Sequence, residues 1–299
     1  QTEQYQNAVT EQIETLLKVN PYEHAYINTV DEKSILQSIL QRYRLSPTDF
    51  NTYLYCPMEF LMRVVLRTPS AMAPVMVYGN AYHKALELFY LTRMKTRANM
   101  TKNEFVTAFI TELYKYPLTP AQFERLKTKG QTNLPLYYDE IIDKQVFPIK
   151  LEHRLNSIYL GGASLSGRID RVDYVDRNNK FVSLGDYKTG GTITQNDLQR
   201  KPSRELGQMD KGQRYYNQLM FYKVATDLDP YLTSFGASAV QGKLLFVDPD
   251  KEVFTECTLE YNQAEVAEMK ALIIEVWQDI QALKFPRNHM KDTDDCEYC

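Results

Sequence analysis

Apolar residues recur at helical spacing in two stretches near the start of the chain: Val9, Ile13, Leu16 and Leu17, then Ile35, Leu36, Ile39 and Leu40. Gln1–Val19 and Glu32–Tyr43 are therefore expected to be helical, and residues 1–44 read as a helical lead-in or tether. In Leu45-Ser46-Pro47-Thr48-Asp49-Phe50, Ser46 suits an N-cap and Pro47 the first helical position. This predicts a helix that carries Tyr53, Cys56 and Phe60 to about Leu66. After Pro69 and Pro74 a second helix is expected over Val77–Arg97. From Thr101 to Phe147 the pattern stays helical, with breaks expected at Pro117, Pro120, Gly130 and Pro135, so residues 100–147 read as an insertion of several short helices.

Strand-like runs follow. One runs from Ile149 through Glu152 towards Tyr159 and turns at Gly161-Gly162. Leu165–Val175 and Lys180–Lys188 flank the turn-forming Asp176-Arg177-Asn178-Asn179, which predicts a hairpin. A polar loop, Gly190–Gly212, leads to a helix over Gln213–Asp227, strands over Ala239–Val247 and Val253–Leu259, and an amphipathic helix over Gln263–Leu283. This order predicts one α/β domain over residues 45–299, with helices on both sides of a mixed sheet.

The hairpin carries the candidate chemistry. Strand alternation projects Asp186 and Lys188 to one face and Tyr187 to the other, and Asp170 can join them from the neighbouring strand. Two carboxylates and an ammonium suit a hard cation with oxygen ligands and a water or phosphate oxygen held beside it. With 299 residues and a formal net charge of −3, the chain has no global basic field to draw in nucleic acid. A local track is available in Lys188, Arg200, Lys201, Arg204, Lys211 and Arg214, set against Asp197, Glu205 and Asp210. No apolar run approaches the roughly 18 residues that span a bilayer, and the start lacks a signal-peptide pattern, so an intracellular protein is expected. Starting at Gln1 and stopping at Cys299, the chain reads as a piece of a longer polypeptide. The four cysteines are too few for a secreted disulfide framework; Cys296 and Cys299 form a C-x-x-C pair suited to a metal or an iron–sulfur cluster, and Cys257 suits a core strand.

Taken in order, His83, Glu152, Gly167-x-x-Asp170, Asp186-x-Lys188-Thr189-Gly190 and Gln218-x-x-x-Tyr222 resemble the RecB/AddB-type branch of the PD-(D/E)xK nuclease superfamily. The resemblance implies a restriction-endonuclease-like core and a Mg²⁺- or Mn²⁺-dependent DNase that contacts the DNA backbone without reading sequence. Asp170 and Asp186 match the metal-binding carboxylates, His83 the extra metal ligand of this branch, and Tyr187 a backbone-carbonyl ligand. Lys188 matches the lysine that assists water attack. Glu152 matches the acidic residue that precedes the G-x-x-D strand, and Gln218 and Tyr222, four residues apart, can face the cleft and hydrogen-bond phosphate or the lysine.

The resemblance also implies DNA as partner, a helicase motor in the same chain or complex, a role in break repair, and a cytoplasmic, nucleoid-associated location in bacteria. No G-x-x-x-x-G-K-[ST] phosphate loop is present, so the motor would lie elsewhere. In iron–sulfur members one cysteine before the catalytic motifs and three after them close a 4Fe–4S cluster. Cys56, Cys296 and Cys299 supply three, and the fourth would belong to the longer protein. Two competing readings are a nuclease-fold module that binds DNA or a partner without cutting, and a structural iron–sulfur or zinc module.

Overall fold

The structure, a computed structural model, describes residues 30–144, 146–201, 209–250 and 253–286. The helix expected over residues 1–19 lies outside the described residues. The first described helix, α1 (Val30–Leu40), buries Leu36 and Leu40 in the main core. Ser46 caps α2 (Pro47–Tyr55) as expected, its hydroxyl accepting the Asp49 N–H at 3.1 Å. That helix does not continue to Leu66. Cys56 precedes Pro57, whose ring disfavours a helical conformation there, so Cys56 is extended at φ −149°. Its Sγ then accepts the Glu59 N–H at 3.3 Å and caps α3 (Pro57–Phe60), which runs into a π-helical turn over Leu61–Val65.

Next come α4 (Pro74–Thr96), α5 (Lys102–Leu113) and α6 (Pro120–Ile142), the last two opened by capping boxes at Thr101/Glu104 and Thr119/Gln122. The several short helices expected here are thus two, because α6 passes through both Gly130 and Pro135. Leu126, Gly130, Leu134, Tyr137 and Ile141 form one buried stripe along it. Burial of that stripe offsets the roughly 3 kcal/mol that an interior proline costs. Gly130 is needed for contact rather than as a breaker, since a Cβ there would fall 2.6 Å from Phe109 Cζ of α5.

The sheet comprises β1 (Lys150–Leu160), β2 (Ala163–Asp176) and β3 (Phe181–Lys188), followed by α7 (Gln195–Leu198), α8 (Lys211–Thr226) and α9 (Pro230–Ser234), and then β4 (Ser238–Asp250) and β5 (Val253–Glu260). Strand order follows chain order, and among neighbours only β3 and β4 are parallel. Gly161 and Gly162 turn β1 into β2 at φ 54° and 89°. Asp176 Oδ1 accepts the N–H groups of Asn178 and Asn179 at 2.8 and 3.2 Å, making the Asx turn of the β2–β3 hairpin. The last described helix is α10 (Gln263–Gln281).

Alternation along β3 divides the molecule. Val182 and Leu184 face the core built with α2, α8 and α10, whereas Tyr187 joins Leu245 and Val247 of β4 under α4, α5 and α6. The α/β architecture with a mixed sheet flanked by helices is thus as expected. No helix among the described residues is long and apolar enough to cross a membrane.

Candidate active site

The row Val182, Leu184, Asp186, Lys188 runs out of the main core towards the end of β3, so the same periodicity that fills the core delivers both charged groups to one place. Registered pairing of β2 with β3 ends at Arg171 and Gly185. One residue beyond, the Asp170 carboxylate takes over the ladder: its Oδ2 accepts the Tyr187 N–H at 2.7 Å. The strand pair is held together there by a side chain, and the Asp170 Oδ1 is left for other partners.

One of these comes from α4. His83 Nδ1 lies 3.3 Å from Asp170 Oδ1, and His83 Nε2 donates to the Tyr187 carbonyl at 3.1 Å. Gly79, one turn before His83, allows this approach, since a Cβ there would stand only 3.1 Å from Thr189 Oγ1. From β1, Glu152 adopts a left-handed backbone at φ 48° and its Oε2 sits 2.9 Å from Arg168 Nε. His83, Glu152 and Asp170 each offer a ligand atom, and these atoms all lie within 4.8 Å of one another.

Beside this trio, Asp186 Oδ2 is 2.6 Å from Lys188 Nζ, and its Oδ1 accepts the Gln218 Nε2–H at 2.8 Å and lies 3.4 Å from the Tyr222 hydroxyl. Lys188 Nζ donates to Gln218 Oε1 at 2.7 Å. The Tyr222 hydroxyl donates to the Arg168 carbonyl at 2.8 Å, tying α8 to β2. Gln218 thus joins lysine and carboxylate, one turn from Tyr222 on α8. A sequence model of the PD-(D/E)XK nuclease superfamily matches residues 44–299. The chain belongs to that superfamily.

The crystal structure of SSO0001 aligns over 88% of this chain and 90% of its own, at 14% identity and a TM-score of 0.30. No curated protein matches the sequence. PD-(D/E)XK nucleases usually use divalent metals, and the donor set here, one imidazole with a buried and a half-buried carboxylate, suits such an ion. Charge balance points the same way. Burial would raise the Asp170 carboxyl, but His83 beside it and the Tyr187 N–H hold it below its usual value. Burial pushes Asp186 up despite Lys188, and Asp170 adds to the rise. Glu152 is pushed up to about 7, first by burial and then by Asp170, against the pull of Arg168. Burial lowers His83, yet Asp170 outweighs it and leaves the imidazole above its ordinary value. These carboxylates crowd a space where Lys188, Arg168 and His83 are the cationic partners, and a divalent ion would relieve the crowding.

Every candidate from the PD-(D/E)XK motifs thus meets at one place, Asp186 lying just outside the trio and drawn to Lys188. Arg168 was not among them, although alternation from Asp170 puts it on the same face of β2. Part of the basic track of the polar loop is already paired with acids: Arg200 with Asp197 and, at 3.0 Å, with Asp210, while Lys201 lies 3.5 and 3.3 Å from Glu265 and Glu268. Lys211 donates to the Gly191 carbonyl. Arg204 and Glu205 lie outside the described residues. Cys257 is a buried core residue, as expected. Cys56 is buried in its cap, and Cys296 and Cys299 lie outside the described residues.

Proposed function

We propose that this chain hydrolyses DNA phosphodiester bonds with a divalent metal ion, as the nuclease part of a RecB/AddB-like helicase–nuclease that processes broken DNA. The observation that carries the reading is the meeting of His83, Glu152 and Asp170 within 4.8 Å, beside the Asp186, Lys188 and Gln218 chain of contacts. His83, Asp170, Asp186 and the Tyr187 carbonyl would hold Mg²⁺ or Mn²⁺, with Glu152 at the rim for a second ion or its waters. Such an ion, when bound, supplies Lewis-acid polarisation of the phosphoryl oxygen and an acidified water.

The chain's own residues do the rest. Asp170, fixed by the Tyr187 N–H, cannot swing away from the site. Lys188, steered by Gln218 and Asp186, presents a compact ammonium to the attacking water and to charge developing on phosphorus. Tyr222 anchors Gln218 through a contact at 3.1 Å and so keeps the lysine's partner in register. Among the described residues no base-reading element stands at the site, which favours sequence-independent contact with the backbone.

Within this proposal residues 45–299 form the nuclease domain with its helical insertion, and residues 1–44 join it to the motor. The cluster reading of the branch draws support from the chain's return path. Lys284 accepts the Tyr53 hydroxyl through its carbonyl at 2.7 Å, and Phe285 stacks on Phe60 with centroids 6.0 Å apart. Both contacts flank Cys56 in sequence, so Lys284 and Phe285 pack against the helices on either side of it.

Linear single- and double-stranded DNA incubated with the purified chain and Mg²⁺ or Mn²⁺ tests the proposal. Cleavage should appear, vanish with chelator, and fall about a thousandfold or more in Asp186→Ala. DNA binding without cleavage by the intact chain would sink the nuclease reading in favour of a non-cutting DNA-binding module.

A further inference from the structure

His83 and Glu152, two members of the trio, line a cavity of about 440 Å³ between α4, the end of α5 and the outer faces of β1 and β2. Its charged lining is nearly self-neutralised. Lys84 pairs with Glu87 at 2.6 Å, Lys115 with Glu112 at 2.6 Å, and Arg168 with Glu152 at 2.9 Å. Arg154 is the exception, exposed and without an ion-pair partner among the described residues. It also stands directly opposite Arg168 in the antiparallel β1–β2 ladder. Residues so placed have Cβ atoms about 5 Å apart, and like charges in that position destabilise a sheet. Folding alone gains nothing from this pairing, whereas an anion between the two guanidiniums would turn the repulsion into a fork.

The geometry points to the Arg154–Arg168 pair as a clamp for a backbone phosphate of the nucleic-acid strand, next to the scissile phosphate that a metal ion at His83 and Asp170 would engage. The assignment rests on the nuclease reading above and deepens it. Arg168 is tied to the site through Glu152 and through its carbonyl's bond to Tyr222. Arg154 reaches the site only through the strand it would hold, and acts as a positioning residue. Because the contact is to phosphate, it carries no base information.

Arg154→Gln, with Arg154→Lys as the conservative variant, is the test, read first by anisotropy of labelled oligonucleotides in chelator over a range of salt. Affinity should fall about tenfold for every base sequence, and the slope of log affinity against log salt should shrink by about 0.7 to 0.9. Arg154→Lys should restore the slope, which counts charge, but only part of the affinity, because an ammonium cannot make the fork. In cleavage assays KM should rise with kcat within about twofold. Melting of the free protein should stay level or rise in Arg154→Gln because a like-charge contact is removed, whereas a structural arginine would lower it. Unchanged affinity and salt slope would overturn the clamp even if the intact chain cuts DNA. A lowered affinity in a chain that binds but never cuts would leave the clamp standing and remove the nuclease reading. An intact chain that neither cuts DNA with Mg²⁺ or Mn²⁺ nor shows salt-dependent binding removes both.

Discussion

Glu152 concentrates the costs of the site in one residue. A non-glycine residue at φ 48° within a strand carries about 1–3 kcal/mol of backbone strain, and its carboxyl is half-buried beside Asp170. Its folded value, about 7, lies above the ordinary 4.5, so the native state holds the proton more tightly than the unfolded chain. Its stabilising contribution is therefore complete below about 4.5 and is lost as pH rises through about 7. Denaturation of the metal-free chain at about pH 5 and about pH 8 should show stability falling with pH, and the fall should be smaller in Glu152→Gln. An equal fall in that variant would rule out this source. Asp186, also raised, contributes in the same direction and remains in both proteins. At Lys188 the expectation concerns rate: Lys188→Ala should lower kcat about 10²- to 10³-fold with little change in DNA affinity, read by single-turnover cleavage.

Among the elements, α6 shows how tertiary burial overrides local signals. Gly130 and Pro135 both read as breakers, yet the helix runs through them because one stripe of it is buried beneath α4 and α5. Opposite outcomes follow for the two positions. Gly130→Ala should destabilise by about 1–3 kcal/mol, since its Cβ would drive into the Phe109 ring. Pro135→Ala should stabilise by up to about 3 kcal/mol by restoring a helical hydrogen bond and removing the ring's clash. Urea midpoints of the two variants should move in opposite directions. Equal movement would mean that the insertion responds to backbone entropy rather than to packing.

Across the whole molecule, β3 couples the two faces of the sheet. On the side of α4 to α6, buried Arg171 donates to Asp173 at 2.7 Å and to the hydroxyls of Tyr90 and Tyr187 at 2.8 and 3.2 Å. The backbone of Tyr187 meanwhile donates its N–H to Asp170 and offers its carbonyl to His83. One residue thus links a buried cation on the far face to the candidate catalytic groups. Arg171→Met would leave Asp173 buried without its counter-charge and release Tyr187, a loss of about 3–5 kcal/mol. A drop in melting temperature together with reduced cleavage at temperatures where the variant is folded would bear out the coupling. A drop in stability alone would confine Arg171 to the core.

Periodicity along the chain was enough to place the five strands, helices α4, α8 and α10 and the capped start at Ser46, because each depends on local spacing and on turn or cap chemistry. Alternation likewise put Asp186 and Lys188 on one face before any contact was visible. The i, i+4 spacing of Gln218 and Tyr222 was equally legible, as was the Asx turn at Asp176. Other features needed residues distant in sequence to meet. The Tyr187 N–H goes to Asp170 only because the ladder stops at Gly185, and Glu152 turns left-handed only where β1 passes that point. The pairing of Lys201 with Glu265 and Glu268, the uninterrupted α6 and the opposed Arg154 and Arg168 all depend on cross-element contact. The sequence by itself determined which groups could act, since residue type and spacing are local. The tertiary structure decided which of them share a charge environment, since electrostatic coupling depends on distance through space.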